Sequence, residues 1–384
     1  MKKRYLLAPG PTPVPEEVLL AMARPIFHHR TDEFRTLFKR ITQGLQYVIQ
    51  TSAAVFTQVS SGSGAMEAAV VNVLSPGDKA IVVDGGYFGA RFAEIARAYG
   101  AEVVLITIPW GEAVDADAVH QALKENPEAK AVYTTFCETS TGVVHDVKAL
   151  GEVVRETDAL LVIDAISGLG TVELRPDDWG IDIVVAGSQK ALMIPPGLAF
   201  LSVSDKAWKV IEANKSHRYY FDLLEAKERL KSWDSRFTPA LSLVAALDRS
   251  LGLIKEEGIE NVWARHGMLG RACRAGAQAL GLELFARRPA DGLTAVCMPE
   301  GIDAYEVYKR LLEEYGVTVG TGHTRIRNRV IRLAHLGYAG RFDVILGLAA
   351  LEMVLKEMGA DIERGKGVAA AEEIFAGARD NRDR

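Results

Sequence analysis

The sequence predicts an α/β protein with a mostly parallel sheet, followed by a smaller α+β unit. Three observations carry this. Short apolar runs alternate with amphipathic stretches through roughly the first half of the chain. Two of these runs, Asp182–Ala186 and Leu198–Val203, follow each other with no room for a helix between them. Beyond about residue 204 helical patterns dominate, and short apolar runs return only toward the end.

The first-half runs are Ala54–Val59, Ala80–Asp84, Val103–Ile108, Ala131–Phe136, Leu160–Asp164, Asp182–Ala186 and Leu198–Val203. Each is short, mostly rich in Val and Ile, and bounded by Gly, Pro or polar residues. Strands covered on both faces read this way, whereas a strand with one wet face alternates. The segments between them read as helices: Ala65–Leu74, Phe88–Tyr99, Asp115–Lys124 with Asp115 as N-cap, and Val147–Thr157. Strand–helix alternation implies parallel strands joined by crossover helices, seven strands with helices on both faces. The step from Asp182–Ala186 to Leu198–Val203 is expected to be antiparallel. Helical patterns follow at Pro239–Glu257 and Ile259–Leu280. Strands are then expected at Leu293–Met298, Val317–Gly320 and Val330–Ala334, with helices at Ala304–Tyr315 and Phe342–Met358. This second set reads as a smaller α+β domain on a long connecting helix. The polar tail from Gly377 is expected to fray.

Composition narrows the function classes. A length of 384 residues suggests two domains at roughly 150 residues each. With 48% hydrophobic and 25% charged residues the chain can bury a large core, which excludes a disordered chain, a disulfide scaffold and a collagen-like fibre. A net charge of −5 is no nucleic-acid signature. Cys137, Cys273 and Cys297 lie far apart without a C-x-x-C pair, which argues for buried thiols in a reducing compartment. The start Met1-Lys2-Lys3-Arg4 is charged, but only Tyr5–Ala8 precede Pro9-Gly10-Pro11, so no signal-peptide apolar region follows. No apolar stretch approaches the roughly 18 residues of a membrane span. The expectation is a soluble cytoplasmic protein that binds neither nucleic acid nor membrane, its partner a small molecule or a second copy.

In an open α/β sheet, ligands bind beyond the carboxyl ends of the strands. Lys190 follows the strand Asp182–Ala186 beside apolar Ala191-Leu192-Met193-Ile194. Desolvation there would lower its pKa and make it a nucleophile; a solvated loop lysine is the alternative. Asp164 closes its strand one crossover unit earlier, as a functional carboxylate or a helix cap. A paired Lys and Asp suit pyridoxal phosphate, which needs an amine for its Schiff base and an acid for its ring nitrogen; a plain salt bridge is the competing reading. Ser60-Ser61-Gly62-Ser63-Gly64 opens a helix and could cradle a phosphate on its backbone N–H groups, though it completes neither a P-loop nor a G-x-G-x-x-G motif. Phe88 ends a strand–helix turn and could stack on a planar ring or pack on its own helix. Arg332, inside an apolar run, could grip a carboxylate or face solvent. No H-E-x-x-H, G-x-S-x-G or C-x-x-C pattern occurs, and His28-His29 has no matching ligand spacing, so no metal site is expected.

Together these residues resemble a fold-type I pyridoxal-phosphate enzyme of the class V aminotransferase family, of the alanine–glyoxylate and serine–pyruvate type. The resemblance runs from Leu7-Ala8-Pro9-Gly10-Pro11-Thr12-Pro13 to Arg332-Leu333-Ala334-His335-Leu336-Gly337. Between them lie His29-Arg30-Thr31-Asp32-Glu33-Phe34, Ser61-Gly62-Ser63-Gly64, Glu138-Thr139-Ser140-Thr141-Gly142 and Ser188-Gln189-Lys190. The resemblance implies an N-terminal segment (1–15) joining the small domain and active site, a large cofactor-binding domain (16–250) and a small domain (251–384). It implies Lys190 as the Schiff-base lysine, with Gln189 beside the cofactor and Asp164 on its ring nitrogen. Ser61, Gly62 and Ser63 become the phosphate cradle, and Phe88 the stacking aromatic. Thr139 and Ser140 face the cofactor oxygen and the substrate. Thr238 reaches the phosphate of a neighbouring subunit, so a homodimer with shared sites is implied. Arg332 grips the substrate carboxylate, with Gly10 close by. Three positions depart from the family pattern: Ala65 stands where His is common, Ser235 where a bulkier aromatic is common, and Gly320-Thr321-Gly322-His323-Thr324-Arg325 replaces the usual Gly-rich loop.

The implied activity is ping-pong transfer of an amino group from alanine or serine to glyoxylate or pyruvate. Aspartate or a broader donor range is an alternative, since Arg30, Arg325, Arg327 or Arg329 could hold a second carboxylate. A cysteine desulfurase-like lyase would need a cysteine in a late mobile loop, and none follows Cys297. A non-catalytic relative would have lost Lys190 or Asp164.

Overall fold

The computed structural model describes residues 3–380. Its strands in chain order are β1 (Tyr5–Leu7), β2 (Ala54–Val59), β3 (Lys79–Asp84), β4 (Glu102–Thr107), β5 (Ala131–Thr135), β6 (Cys137–Glu138), β7 (Val143–Val144), β8 (Leu160–Asp164), β9 (Ile183–Gly187), β10 (Leu198–Val203), β11 (Leu293–Cys297), β12 (Val317–Thr321) and β13 (Val330–Ala334). Seven of them form one sheet in the order β2-β10-β9-β8-β5-β3-β4. Its pairings are parallel except those of β10, which runs antiparallel to both β2 and β9. The expected sheet is therefore present, with its antiparallel step where the sequence leaves no room for a helix.

Burial explains the apolar runs. Every residue of β5, β8 and β9 is buried. The two-residue period sends Leu161, Ile163, Val184 and Phe200 into one core and Leu160, Val162, Val185 and Leu201 into another. Helices Asp32–Ile49 and Leu241–Glu257 close the first face; Gly62–Val73 and Tyr87–Ala98 close the second.

The second sheet has the order β1-β12-β13-β11. Helices Ile259–Ala279, Ala304–Glu313 and Arg341–Glu357 cover it and form a third core. Helix Ile259–Ala279 starts in the first core with Ile259 and Val262 and ends in the third with Leu269, Cys273 and Ala277. It runs from one core into the other, as a connecting helix would.

Several elements escaped the sequence reading. Strand β1 is three residues long and pairs in parallel with β12 near the other end of the chain, so no local pattern announces it. Helix Asp32–Ile49 did have a signal: Phe34, Leu37, Phe38, Ile41, Leu45 and Val48 share a buried face, and the Thr31 hydroxyl accepts the Phe34 N–H. Helices Glu16–Met22, Asp205–Ala213 and Leu223–Leu230 and the β6–β7 hairpin were also unforeseen. The helix expected from Ala65 begins at Gly62, which sets Ser61 at its N-cap. Asp182 precedes its strand rather than opening it, and its carboxylate ties the start of β8 to Ser204. It accepts the Leu161 N–H at 3.0 Å and the Ser204 hydroxyl at 2.7 Å. Helix Lys366–Asp380 runs past Gly377, where the tail is expected to fray, and residues 381–384 of that tail lie outside the described ones.

Candidate active site

The carboxyl ends of β2, β3, β5, β8 and β9 bring most of the sequence-selected residues together. Lys190 sits in the turn after β9. Ser188 closes that turn, donating its hydroxyl to the Pro195 carbonyl at 2.8 Å and accepting the Leu198 N–H at 3.2 Å. The N-terminal segment is strapped over the same turn. Thr12 donates its N–H to the Gln189 carbonyl and its hydroxyl to the Lys190 carbonyl, at 3.2 and 3.0 Å. The Lys190 amine is buried and donates to the Pro9 carbonyl. Gly10 lies against it with φ +109°, and a Cβ there would stand 2.5 Å from Nζ. Burial, helped by the Arg332 charge, brings the Lys190 amine down to about 8.

Asp164 ends β8, buried, and accepts the Ile166 N–H at 2.8 Å. Burial raises its carboxyl to about 7, against the Ile166 hydrogen bond and with the Glu138 charge adding to the rise. Ser61 caps helix Gly62–Val73 without a side-chain capping bond, so its hydroxyl and the helix N-terminus face outward together. A Cβ on Gly62 would lie 2.4 Å from Ile166 Cδ1, so the cradle backbone packs directly on the residue that follows Asp164–Ala165. Arg91, unflagged by sequence, donates to the Ser63 hydroxyl at 2.8 Å and lies over the Phe88 ring, 4.9 Å from its centroid.

The Phe88 turn is clamped by Glu138. This fully buried carboxylate accepts the backbone N–H groups of Gly89 (2.8 Å), Phe88 (3.1 Å) and Ser140 (3.0 Å) and the Ser140 hydroxyl (2.6 Å). Ser140 also accepts the Tyr87 N–H at 3.0 Å, so its hydroxyl is bonded on both sides. Sequence alone gives Glu138 no role within Glu138-Thr139-Ser140-Thr141-Gly142; a carboxylate two residues beyond the buried apolar run Ala131–Phe136 is its signal. Thr139 pairs its hydroxyl with Ser167.

Arg332, buried in β13, donates from Nε to the Thr321 carbonyl (2.9 Å), from Nη1 to the Thr139 carbonyl (2.6 Å) and from Nη2 to His323 Nε2 (3.2 Å). A guanidinium has five N–H groups. These bonds leave one on each terminal nitrogen, the number a bidentate carboxylate takes. Thr238 is not part of this cluster. It lines a separate cavity with Phe56, Gln58, Val59, Tyr220 and Phe237. Of the further arginines, Arg30 is paired with Asp234 at 2.5 Å, whereas Arg325, Arg327 and Arg329 are exposed over the rings of Trp110, Tyr305 and Phe285.

The donor set fits pyridoxal phosphate. A desolvated amine, a buried carboxyl, an aromatic face and an open helix N-terminus converge. The Gln189 Oε1 beside Lys190 is buried without a hydrogen-bond partner, as an atom awaiting a ligand group would be.

A family model described as aminotransferase class-V matches residues 4–338. The soluble hydrogenase 42 kDa subunit of Anabaena cylindrica is 40% identical over 380 residues, covering 97% of this chain and 99% of its own. The L-aspartate–glyoxylate aminotransferase of Paracoccus denitrificans is 37% identical over 378 residues, covering 96% of each chain. The solved alanine–glyoxylate aminotransferase of Nostoc sp. superposes with a TM-score of 0.88 at 32% identity, over 92% of this chain and 96% of its own.

Proposed function

The chain belongs to the class-V aminotransferase family, a family of pyridoxal-phosphate transaminases, and we propose that it moves the amino group of alanine or serine to glyoxylate or pyruvate. The observation that carries this reading is the buried Lys190 amine, brought down to about 8 and set between Gly10, Asp164 and Arg332. Glyoxylate recurs in the names of two relatives described above.

When bound, pyridoxal phosphate supplies an electron sink for the charge left at a donor's α-carbon. Lys190 would be the acid and base: burial lowers its amine, so Nζ would be available to take the α-proton from the donor and, in the return half, to supply one to the acceptor's carbon. Asp164 would hold a proton at the ring nitrogen. Ser61, Gly62 and Ser63 would hold the phosphate, with Arg91 bringing a positive charge to Ser63. Phe88 would cover one ring face, and Gln189 and Thr139 would border the cofactor. Arg332 would bind the substrate carboxylate and fix the orientation of the breaking bond, with Gly10 leaving room beside it. Ser140, bonded on both sides, would support the substrate face through the Tyr87–Phe88 turn.

One carboxylate grip favours small monocarboxylate donors. The aspartate alternative keeps Arg325, Arg327 and Arg329 as second grips, whereas Arg30 is committed to Asp234. The hydrogenase name belongs to the Anabaena protein. Among the described residues no three His, Cys, Asp or Glu side chains group as a metal site.

A homodimer is part of the proposal. Thr238 lines a cavity that contains none of Ser61, Gly62, Asp164 or Lys190, which suits the contact with a neighbouring subunit's phosphate that the family resemblance implies. The cytoplasm is the proposed compartment: three free, buried cysteines suit a reducing medium, and no helix of the described residues is long and apolar enough to cross a membrane.

The test is the visible absorption spectrum of the protein with its cofactor. L-Alanine should remove the band and glyoxylate should restore it. A band indifferent to alanine and serine overturns the substrate reading.

A further inference from the structure

His323 stands where the chain departs from the family's Gly-rich loop. Its imidazole is half-buried, with Nε2 accepting from Arg332 Nη2 at 3.2 Å. It stacks on Tyr87 at 4.7 Å between centroids and 6° between planes, and meets Phe88 edge-on at 5.7 Å. The ring therefore touches both the guanidinium assigned to the carboxylate and the aromatic assigned to the cofactor face. Anything that spans Arg332 and Phe88 must lie alongside it.

The loop holds the ring there. The Gly322 N–H bonds to the Val330 carbonyl at 2.8 Å, and the His323 carbonyl accepts the Ile326 N–H at 3.0 Å. A Cβ on Gly322 would stand 2.1 Å from the Ile326 carbonyl oxygen, so the turn has no slack. Burial, with the charges of Arg332, Arg91 and Lys190 adding, brings the imidazole down to about 4. It is thus neutral near pH 7, with Nε2 an acceptor.

A donor bound as proposed has three of its four α-carbon substituents assigned. The carboxylate faces Arg332, the hydrogen faces Lys190 and the amine faces the cofactor. Only the side chain remains. We infer that the His323 ring, braced by Tyr87, limits the size of that side chain and so selects small amino donors. This rests on the transaminase reading above and adds a specificity-determining residue to it.

The experiment compares alanine, 2-aminobutyrate and norvaline as donors for the wild-type holoenzyme, His323→Ala and His323→Phe, reading kcat/KM from loss of the visible band. One methylene in a shaped pocket is worth about 10- to 200-fold. His323→Ala should raise the norvaline-to-alanine ratio by about tenfold or more. His323→Phe, which keeps the ring and loses the hydrogen bond to Arg332, should keep the wild-type ratio. An unchanged ratio in His323→Ala overturns the inference, as does a His323→Phe variant that loses discrimination, since the hydrogen bond rather than the ring would then be responsible. Equal loss for all donors would make His323 only a support for Arg332. A wild-type protein that fails with alanine, serine and glyoxylate sinks the transaminase substrate reading itself, which separates the two failures.

Discussion

Arg332 donates from Nη1 to the main-chain oxygen of Thr139, 2.6 Å away, tying the second sheet to the turn that closes the β6–β7 hairpin. All three of its hydrogen bonds go to neutral acceptors. The Glu138 charge acts on it without a direct hydrogen bond, so the proposed carboxylate would meet a guanidinium whose orientation is fixed in advance. Arg332→Ala should raise KM for donor and acceptor while the cofactor band persists. Loss of a charged bidentate contact costs about 1.5–3 kcal/mol, or roughly ten- to a hundredfold. Steady-state kinetics with alanine and glyoxylate measure it; an unchanged KM for both removes Arg332 from the carboxylate site.

Glu138 organises the aromatic turn from inside. Glu138→Ala would strand the N–H groups of Phe88, Gly89 and Ser140, each costing about 1–3 kcal/mol when buried and unpaired. The expected result is a thermal midpoint several degrees lower and weaker cofactor retention, with Glu138→Gln intermediate because an amide oxygen still accepts. A midpoint equal to wild type would show that the turn holds its shape without the carboxylate.

The sequence made the sheet legible because β5, β8 and β9 are buried on both faces and so print as uninterrupted Val/Ile runs. It also exposed Lys190 and Asp164, since each directly follows or ends such a run. What it hid depends on long-range contact. Strand β1 is recognisable only through β12. Arg91 is one basic residue on a surface helix until the fold places it against Ser63 and Phe88. His323 was visible only as a departure from the family loop, because the partners that give it meaning, Tyr87 and Arg332, come from two other elements.

Gly10→Ala should be far more damaging than its size suggests. The residue has φ +109°, and a Cβ would stand 2.5 Å from Lys190 Nζ. Backbone strain alone costs about 1 kcal/mol. Gly77→Ala is the control, with φ +86° and nothing within 4 Å of its Cβ. Both variants should lose similar stability, but Gly10→Ala alone should lose at least about tenfold in kcat, from the displaced amine. Equal kcat in the two would rule out the steric contact.

His266 should make the protein acid-sensitive. Its Nδ1 bonds the Val262 carbonyl at 2.7 Å and its Nε2 accepts the Gly337 N–H at 2.9 Å. Burial pushes the folded imidazole down to about 3. An unfolded histidine protonates near 6.5. Between about pH 6 and 4 the unfolded chain therefore holds a proton that the folded protein refuses, and stability falls as pH falls. One such proton is worth about 1.4 kcal/mol per pH unit. His266→Gln should be less stable at pH 7, yet its unfolding free energy should decline less steeply on acidification, by up to that amount. Parallel slopes in denaturant titrations would sink the assignment.

The Lys190 amine gives the sharpest pH prediction, because it can be read without catalysis. Its pKa is brought down to about 8 by burial first and the Arg332 charge second, while Asp164 pulls the other way. Only the neutral amine reacts with an acylating reagent. In the cofactor-free protein, acetylation of Lys190, followed by mass spectrometry, should rise with pH and level off just above 8. A fully solvated lysine side chain would still be climbing near 10. The two charges make opposite corrections. Arg332→Met removes a positive neighbour and should move the Lys190 inflection upward; Asp164→Asn removes a negative one and should move it downward. An inflection that stays near 10 in the wild type would mean that the amine is solvated rather than buried. Shifts of the same sign in both variants would mean that repacking, not charge, governs it.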